Sequence, residues 1–140
     1  MTAPPELDKG NTKMTDFVEY LARQVAVSRC NFGPNERTLG VIDHIEKELK
    51  EIKAEDTPQG RAEEWIDVAL LALDGATRAM REAIRAHSKN MYEPTADDIA
   101  REVVLAIKQK QQGKNELRDW PDWRTVSEDK AIEHKRGKHD

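Results

Sequence analysis

The sequence predicts an all-α protein: an antiparallel bundle of about four main helices with a partly ordered C-terminal tail. Three observations carry this expectation. Apolar residues recur at intervals of 3 and 4 through four separate segments. No stretch of useful length alternates apolar with polar residues, as a half-buried strand would. The breaks between the segments are short and hold Gly, Pro, Asn and Asp, so consecutive helices turn back on one another.

Residues 1–13 read as a flexible arm, with Pro4, Pro5, Gly10 and Asn11 set among charges. A first helix is predicted from about Thr15, its cap, to Ser28, with Phe17, Leu21 and Val25 on one face. The run NFGPNERT breaks it at Gly33-Pro34. A second helix is predicted over Leu39 to Ala54, with the stripe Ile42, Ile45, Leu49 and Ile52. The short connection EDTPQG follows. Asp56 or Thr57 can cap the next helix with Pro58 in its first turn, although Gly60 moves the candidate start toward Arg61. This third helix, ending near Ala86, is the longest and most apolar. Trp65, Ile66, Ala69, Leu70, Leu73 and Ala76 occupy more than one face, which predicts a central position. Gly75 inside it costs about 1 kcal/mol relative to alanine. The fourth helix opens on TADD, with Thr95 as cap and Asp98 as its capping-box partner. It carries Ile99, Val103 and Ile107 and ends before Gly113. The expected organisation is a helical domain over 14–112 and a tail over 113–140 that packs on the domain or on its site. Within the tail a short helix is expected around Glu128 to His134.

A chain of 140 residues suits one domain with a modest core. Charged residues make up 36% and apolar residues 37%, so most helices keep one face in water. The net charge of -4 argues against the broad basic surface that a nucleic-acid polymer needs. A small anion remains compatible, held by a few local cations or metals. The one cysteine, Cys30, allows no disulfide within the chain and no cysteine zinc site. The polar start MTAPPELDKG lacks a signal-peptide core, and no window approaches the roughly 20 apolar residues of a membrane span. The expectation is a cytoplasmic protein without a membrane partner. Strongly amphipathic helices around so small a core further predict a homo-oligomer, a dimer or tetramer.

Two carboxylate pairs stand out. Glu48 and Glu51 lie one turn apart on the second helix, and Glu64 and Asp67 one turn apart on the third. A short turn joins these helices, so the pairs can face each other. Converging carboxylates beside apolar residues repel one another and lose hydration, and a divalent cation relieves both costs. All-oxygen ligation suits Mg²⁺ or Mn²⁺ better than Zn²⁺. Glu-x-x-Glu on a helix is also often no more than a solvated face, as expected for Glu46, Glu55 and Glu63. Asp74, one heptad after Asp67, reads either as a further ligand or as an ion-pair partner of Arg78.

The flanks of the quartet add a resemblance. The run from Phe32 to Met80 resembles the MazG-like nucleoside triphosphate pyrophosphohydrolases, whose signature is Glu-x-x-Glu followed by Glu-x-x-Asp. EKELKEI supplies the first pair and EEWIDVALLALDG the second, with 12 residues between Glu51 and Glu64. FGPNERTLGVIDHIEKEL and DWPDWRTVSEDKAIEH look like a small, single-domain branch found in bacteria and phages, some of whose members are described as dATP/dGTP diphosphohydrolases. The resemblance spans about residues 28–136. It implies an all-α fold and two or more Mg²⁺ ions, replaceable by Mn²⁺, held by Glu48, Glu51, Glu64 and Asp67. It implies cleavage of a nucleoside triphosphate to the monophosphate and pyrophosphate. It also implies oligomers in which a neighbouring subunit often completes the site.

Candidate phosphate-binding cations are Arg37, Lys47, Arg78, Arg81, Lys108, Lys110 and Arg124. Candidate base-binding residues are Asn31, Phe32, Trp120 and Trp123. His44 stands one turn before Glu48, as a support to it or as a surface residue. The rival reading is a non-catalytic helical interaction module with a degenerate metal site. A di-iron carboxylate enzyme would need Glu-x-x-His pairs, which the chain lacks.

Overall fold

The computed structural model describes residues 16–136. The expected N-terminal arm and the predicted cap Thr15 lie outside them. Helix α1 is Phe17–Phe32, and Asp16 caps it by accepting the Val18 N–H at 2.8 Å. It runs a turn beyond the predicted end. Gly33, not a fading apolar pattern, stops it: the residue sits at φ 80°, where a β-carbon is strained, and its N–H closes on the Arg29 carbonyl at 3.0 Å.

Helix α2 is Thr38–Ala54 and α3 is Pro58–Ala86. Of the two possible caps, Thr57 serves, accepting the Gly60 N–H at 3.0 Å with Pro58 in the first turn. Gly60 therefore lies inside the helix. Its missing side chain leaves room for the Glu55 carboxyl group, which accepts from both the amide and the hydroxyl of Thr57 at 3.3 Å. Helix α4 is Ala96–Lys110, opened by the predicted capping box. Thr95 N–H donates to Asp98 Oδ2 at 3.0 Å and Asp98 N–H to Thr95 Oγ1 at 3.1 Å.

The all-α expectation holds: four α-helices and no strand occur among the described residues. The helix expected at Glu128 to His134 does not form. Its only apolar residues, Ala131 and Ile132, are adjacent, so no face exists to bury, and so short a helix is marginal alone. The segment is instead irregular, and Lys135 N–H donates to the Asp119 carbonyl at 2.7 Å in an isolated bridge. A π-helical turn at Gln111–Asn115 and a 3₁₀ turn at Trp123–Thr125 complete the elements. The chain divides into two compact units, one ending at Val104 and the other beginning at Leu105.

In the first unit, Leu21 and Val25 of α1 pack with Ile99, Ala100, Val103 and Val104 of α4, flanked by Leu73, Met80 and Ile84 of α3. Helices α2 and α3 form an antiparallel hairpin. A β-carbon at Gly75 would stand 3.5 Å from Val41 Cγ1, while Glu55 lies over Gly60. That register sets Glu51 level with Glu64 and Glu48 level with Asp67. The 3.5 Å separation is an ordinary contact, so packing against α2 does not demand glycine at position 75.

The central position expected for α3 is only half realised within one chain. Its buried residues are Thr77, Arg78 and Arg81, whereas Trp65 and Ile66 are 55% and 57% exposed. On α2, Ile52 and Val41 are buried but Leu39, Ile42 and Leu49 are exposed. An apolar face of the hairpin is thus uncovered.

Candidate metal centre

The hairpin register brings three of the four predicted carboxylates together. Glu48, Glu51 and Glu64 each place a carboxylate oxygen within 4.8 Å of the other two. Glu48 Oε2 and Glu64 Oε2 are buried and receive no hydrogen bond from any protein donor. The other oxygen of Glu48 lies 3.3 Å from His44 Nε2, so His44 supports the cluster from one turn away. Glu51 is exposed. Asp67 is not part of the cluster. It is exposed, and it lines the adjoining cleft beside Glu48.

Like charges this close cannot all persist. The Glu64 carboxyl is pushed up to about 7. The largest cause is a hydrogen bond shared with Glu48, followed by lost hydration and repulsion from Glu51. Two carboxylates can share a hydrogen bond only if one keeps a proton, and no other protein donor reaches these two oxygens. The donor set fits a hard divalent cation: it is all oxygen, the buried oxygens lack partners, and a cation removes the repulsion that the proton now relieves.

A pH dependence follows. The ordinary carboxyl value is near 4.5 and the folded value about 7, so between them the folded protein binds more protons than the unfolded chain. Stability from this group is present below about pH 4.5 and is lost as the pH rises through 7. Glu93, held down chiefly by the Arg81 guanidinium, and Asp98, held down by Thr95, act below that window. In EDTA, thermal unfolding should show stability falling from pH 5 to pH 8, with a shallower fall in Glu64→Gln. Mn²⁺ should raise the midpoint more at pH 8 than at pH 5. Equal slopes in both proteins would overturn the assignment.

Beside the cluster lies a cleft of about 380 Å³ among α1, α2 and α3, within the range of small-molecule sites. Glu48, Asp67 and His44 border it on one side. Gln24, Val27, Ser28, Asn31 and Phe32 of α1 line another, with Leu70, Leu71 and Asp74 of α3. Two predicted base-binding residues, Asn31 and Phe32, therefore face this cleft. Gln24 and Ser28 do too, and sequence reasoning missed them. The available signal was the polar row Gln24, Ser28, Asn31 at intervals of 4 and 3, beside the apolar pair Leu21 and Val25.

Asp74 is an ion-pair partner in this structure. Its Oδ2 accepts from Arg78 Nε at 3.0 Å and its Oδ1 from Ser28 Oγ at 2.5 Å. Arg78 is buried and its remaining donors hold the α1–α2 connection. Nη1 reaches the carbonyls of Gly33 (2.9 Å) and Asn35 (2.6 Å), and Nη2 reaches Ser28 Oγ at 2.8 Å. Arg81 is likewise occupied, forking onto Glu93 at 2.7 and 2.8 Å.

The other candidate cations are placed differently. Arg37 lies 5.4 Å above the Phe32 ring, at the cleft-lining end of α1. Lys47 is exposed and 3.5 Å from Asp43. Lys108, Lys110, Trp120, Trp123 and Arg124 belong to the second unit. There Trp120 Nε1 donates to the Asn115 carbonyl at 2.9 Å, Arg124 pairs with Asp122 at 2.9 Å, and Trp123 is exposed.

No helix of the described residues is long and apolar enough to cross a membrane. Neither the curated proteins nor the solved structures returned a match to this chain. A family model did: dATP/dGTP pyrophosphohydrolase matches residues 21–92, which is just over half the chain and includes the carboxylate cluster, Asp67 and the cleft. The chain belongs to the dATP/dGTP pyrophosphohydrolase family of nucleotide pyrophosphohydrolases.

Proposed function

We propose that the protein hydrolyses purine deoxynucleoside triphosphates, dATP and dGTP, to the monophosphate and pyrophosphate in a metal-dependent reaction. The observation that carries this reading is the convergence of Glu48, Glu51 and Glu64, with buried oxygens lacking donors, at the edge of a nucleotide-sized cleft. Family membership supports the substrate class.

Glu48, Glu51 and Glu64, with Asp67 as a fourth ligand, would hold Mg²⁺, two or more ions, and Mn²⁺ would substitute. The chemistry supplied by such ions is neutralisation of phosphate charge and a lowered pKa of bound water. The residues supply position and proton transfer. Glu48 is engaged with His44, so exposed Glu51 is the better placed to orient the attacking water and take its proton. The water oxygen bonds to the α-phosphorus, the bond to the bridging oxygen breaks, and pyrophosphate leaves with the electron pair. Asn31 and Phe32 contact the base, and Arg37 and Lys47 favour the phosphates electrostatically.

The test is a panel of dNTPs and NTPs with Mg²⁺, its products resolved by chromatography. Monophosphate plus pyrophosphate is expected. Stepwise orthophosphate release would sink the proposed bond. No turnover together with no Mn²⁺ binding would favour the interaction-module reading.

The proposal includes a homo-oligomer. Leu39, Ile42 and Leu49 on α2 and Trp65 and Ile66 on α3 are exposed at helical spacing, and such a face needs a cover. Sedimentation at micromolar concentration should give a dimer or tetramer, and Ile42→Lys should shift it toward the single chain. A wild-type species of 16.0 kDa would refute the oligomer.

A further inference from the structure

We infer that Gln24 is a specificity-determining residue, presenting its amide oxygen to an exocyclic amino group of the nucleobase. The inference rests on the proposed nucleotide site and names one of its base contacts. Gln24 lies on α1 and lines the cleft whose other side is bordered by Glu48 and Asp67. Its Nε2 donates to the Leu70 carbonyl at 2.8 Å. That bond fixes the orientation of the amide, because the flipped form would set two oxygens against each other. The Oε1 atom is thereby left buried with no donor. A buried acceptor without a partner is unusual in a folded protein and calls for an explanation.

The chemistry of the partner follows from the atom. An amide oxygen only accepts, so the ligand must bring an N–H or O–H. With phosphates held by the cations that the carboxylate cluster would bind, the part of a nucleotide that reaches α1 is the base. Adenine and guanine differ in most edge groups but both carry an exocyclic amine. The amine stands at C6 in adenine and at C2 in guanine, so a fixed acceptor favours the purine whose pose brings its amine there and disfavours a base that lacks one. Engaging it requires the base to part the side chains that cover Oε1. Nearby Asp74 does not compete for this role, since both its oxygens are occupied by Arg78 and Ser28.

The experiment compares the faster of dATP and dGTP with the same nucleotide lacking its amine: the unsubstituted-purine triphosphate for dATP, dITP for dGTP. Wild-type kcat/KM should fall about tenfold on loss of the amine, the scale of one hydrogen bond. Gln24→Met, which keeps length and removes the acceptor, should slow the amino nucleotide and leave its analogue nearly unchanged, closing the gap. Equal wild-type rates for the two nucleotides would overturn the assignment whether or not the variant folds. So would an equal loss on both substrates in a folded Gln24→Met. Absence of pyrophosphate from every nucleotide would instead remove the proposed function, and this contact with it.

Discussion

Glu64→Gln should lower pyrophosphate release by roughly 10²–10³, the range for removing one electrostatic group aligned on a reacting centre. The substitution keeps shape and removes charge. Because the Glu64 carboxyl is held up near 7 by Glu48 and Glu51 beside it, a neutral amide there relieves repulsion. The metal-free variant should therefore fold at least as well as the wild type while losing divalent-ion affinity. That combination, inactive but intact, distinguishes a metal ligand from a structural residue. Asp67→Asn should also abolish turnover if the exposed fourth carboxylate joins the ligands from the cleft. Glu63→Gln, next door on α3, should change little. Isothermal titration with Mn²⁺ and a pyrophosphate assay check all three, and full activity in Glu64→Gln would move the centre elsewhere.

Arg78→Met should cost about 3–5 kcal/mol, the range for breaking a buried ion pair from one side. Arg78 is buried, and its loss strands Asp74 together with the carbonyls of Gly33 and Asn35. Against a total stability of about 5–15 kcal/mol for a typical domain, this is a large fraction. Arg78→Lys should recover only part of it, because one ammonium cannot span Asp74 and both loop carbonyls as the guanidinium fork does. Chemical denaturation of the two variants checks the order. A midpoint within error of wild type for Arg78→Met would show that the loop is held by other means. Where the methionine variant folds, its cleft should also bind nucleotide less well, since Ser28 and Asp74 line that wall.

The two residues show different degrees of legibility. Glu64 was readable because helical spacing puts it in a facing pair of carboxylates and the flanking runs resemble a family that uses such a pair. Glu48, Glu51 and Glu64 fall on facing helical turns once a short connection reverses the chain, and the capping residues Thr57 and Pro58 announce that reversal. Arg78 was not readable in the same way. Its ion pair with Asp74 follows helical spacing, but its bonds to Gly33 and Asn35 join positions far apart in sequence. An arginine whose type suits a phosphate ligand thus holds a loop. The same limit explains Gln24, whose importance rests on the Leu70 carbonyl 46 positions away.

The sequence by itself determined the helical class, the α2 start to within one residue, the capping box of α4 and the carboxylate pairs, while Gly60 drew the expected α3 start toward Arg61, three residues past the observed Pro58. These are local matters, set by periodicities and caps that act over one or two turns. It misjudged the end of α1, where the left-handed Gly33 overrides a weakening apolar pattern, and it placed a helix in a tail with no face to bury. Only the tertiary structure decided that three carboxylates converge while Asp67 faces the cleft, that Asp74 is tied to Arg78, and that half of the hairpin's apolar stripe stays uncovered. Those outcomes depend on which helix faces which. Helical spacing tells which residues share a face, and only packing tells what that face meets.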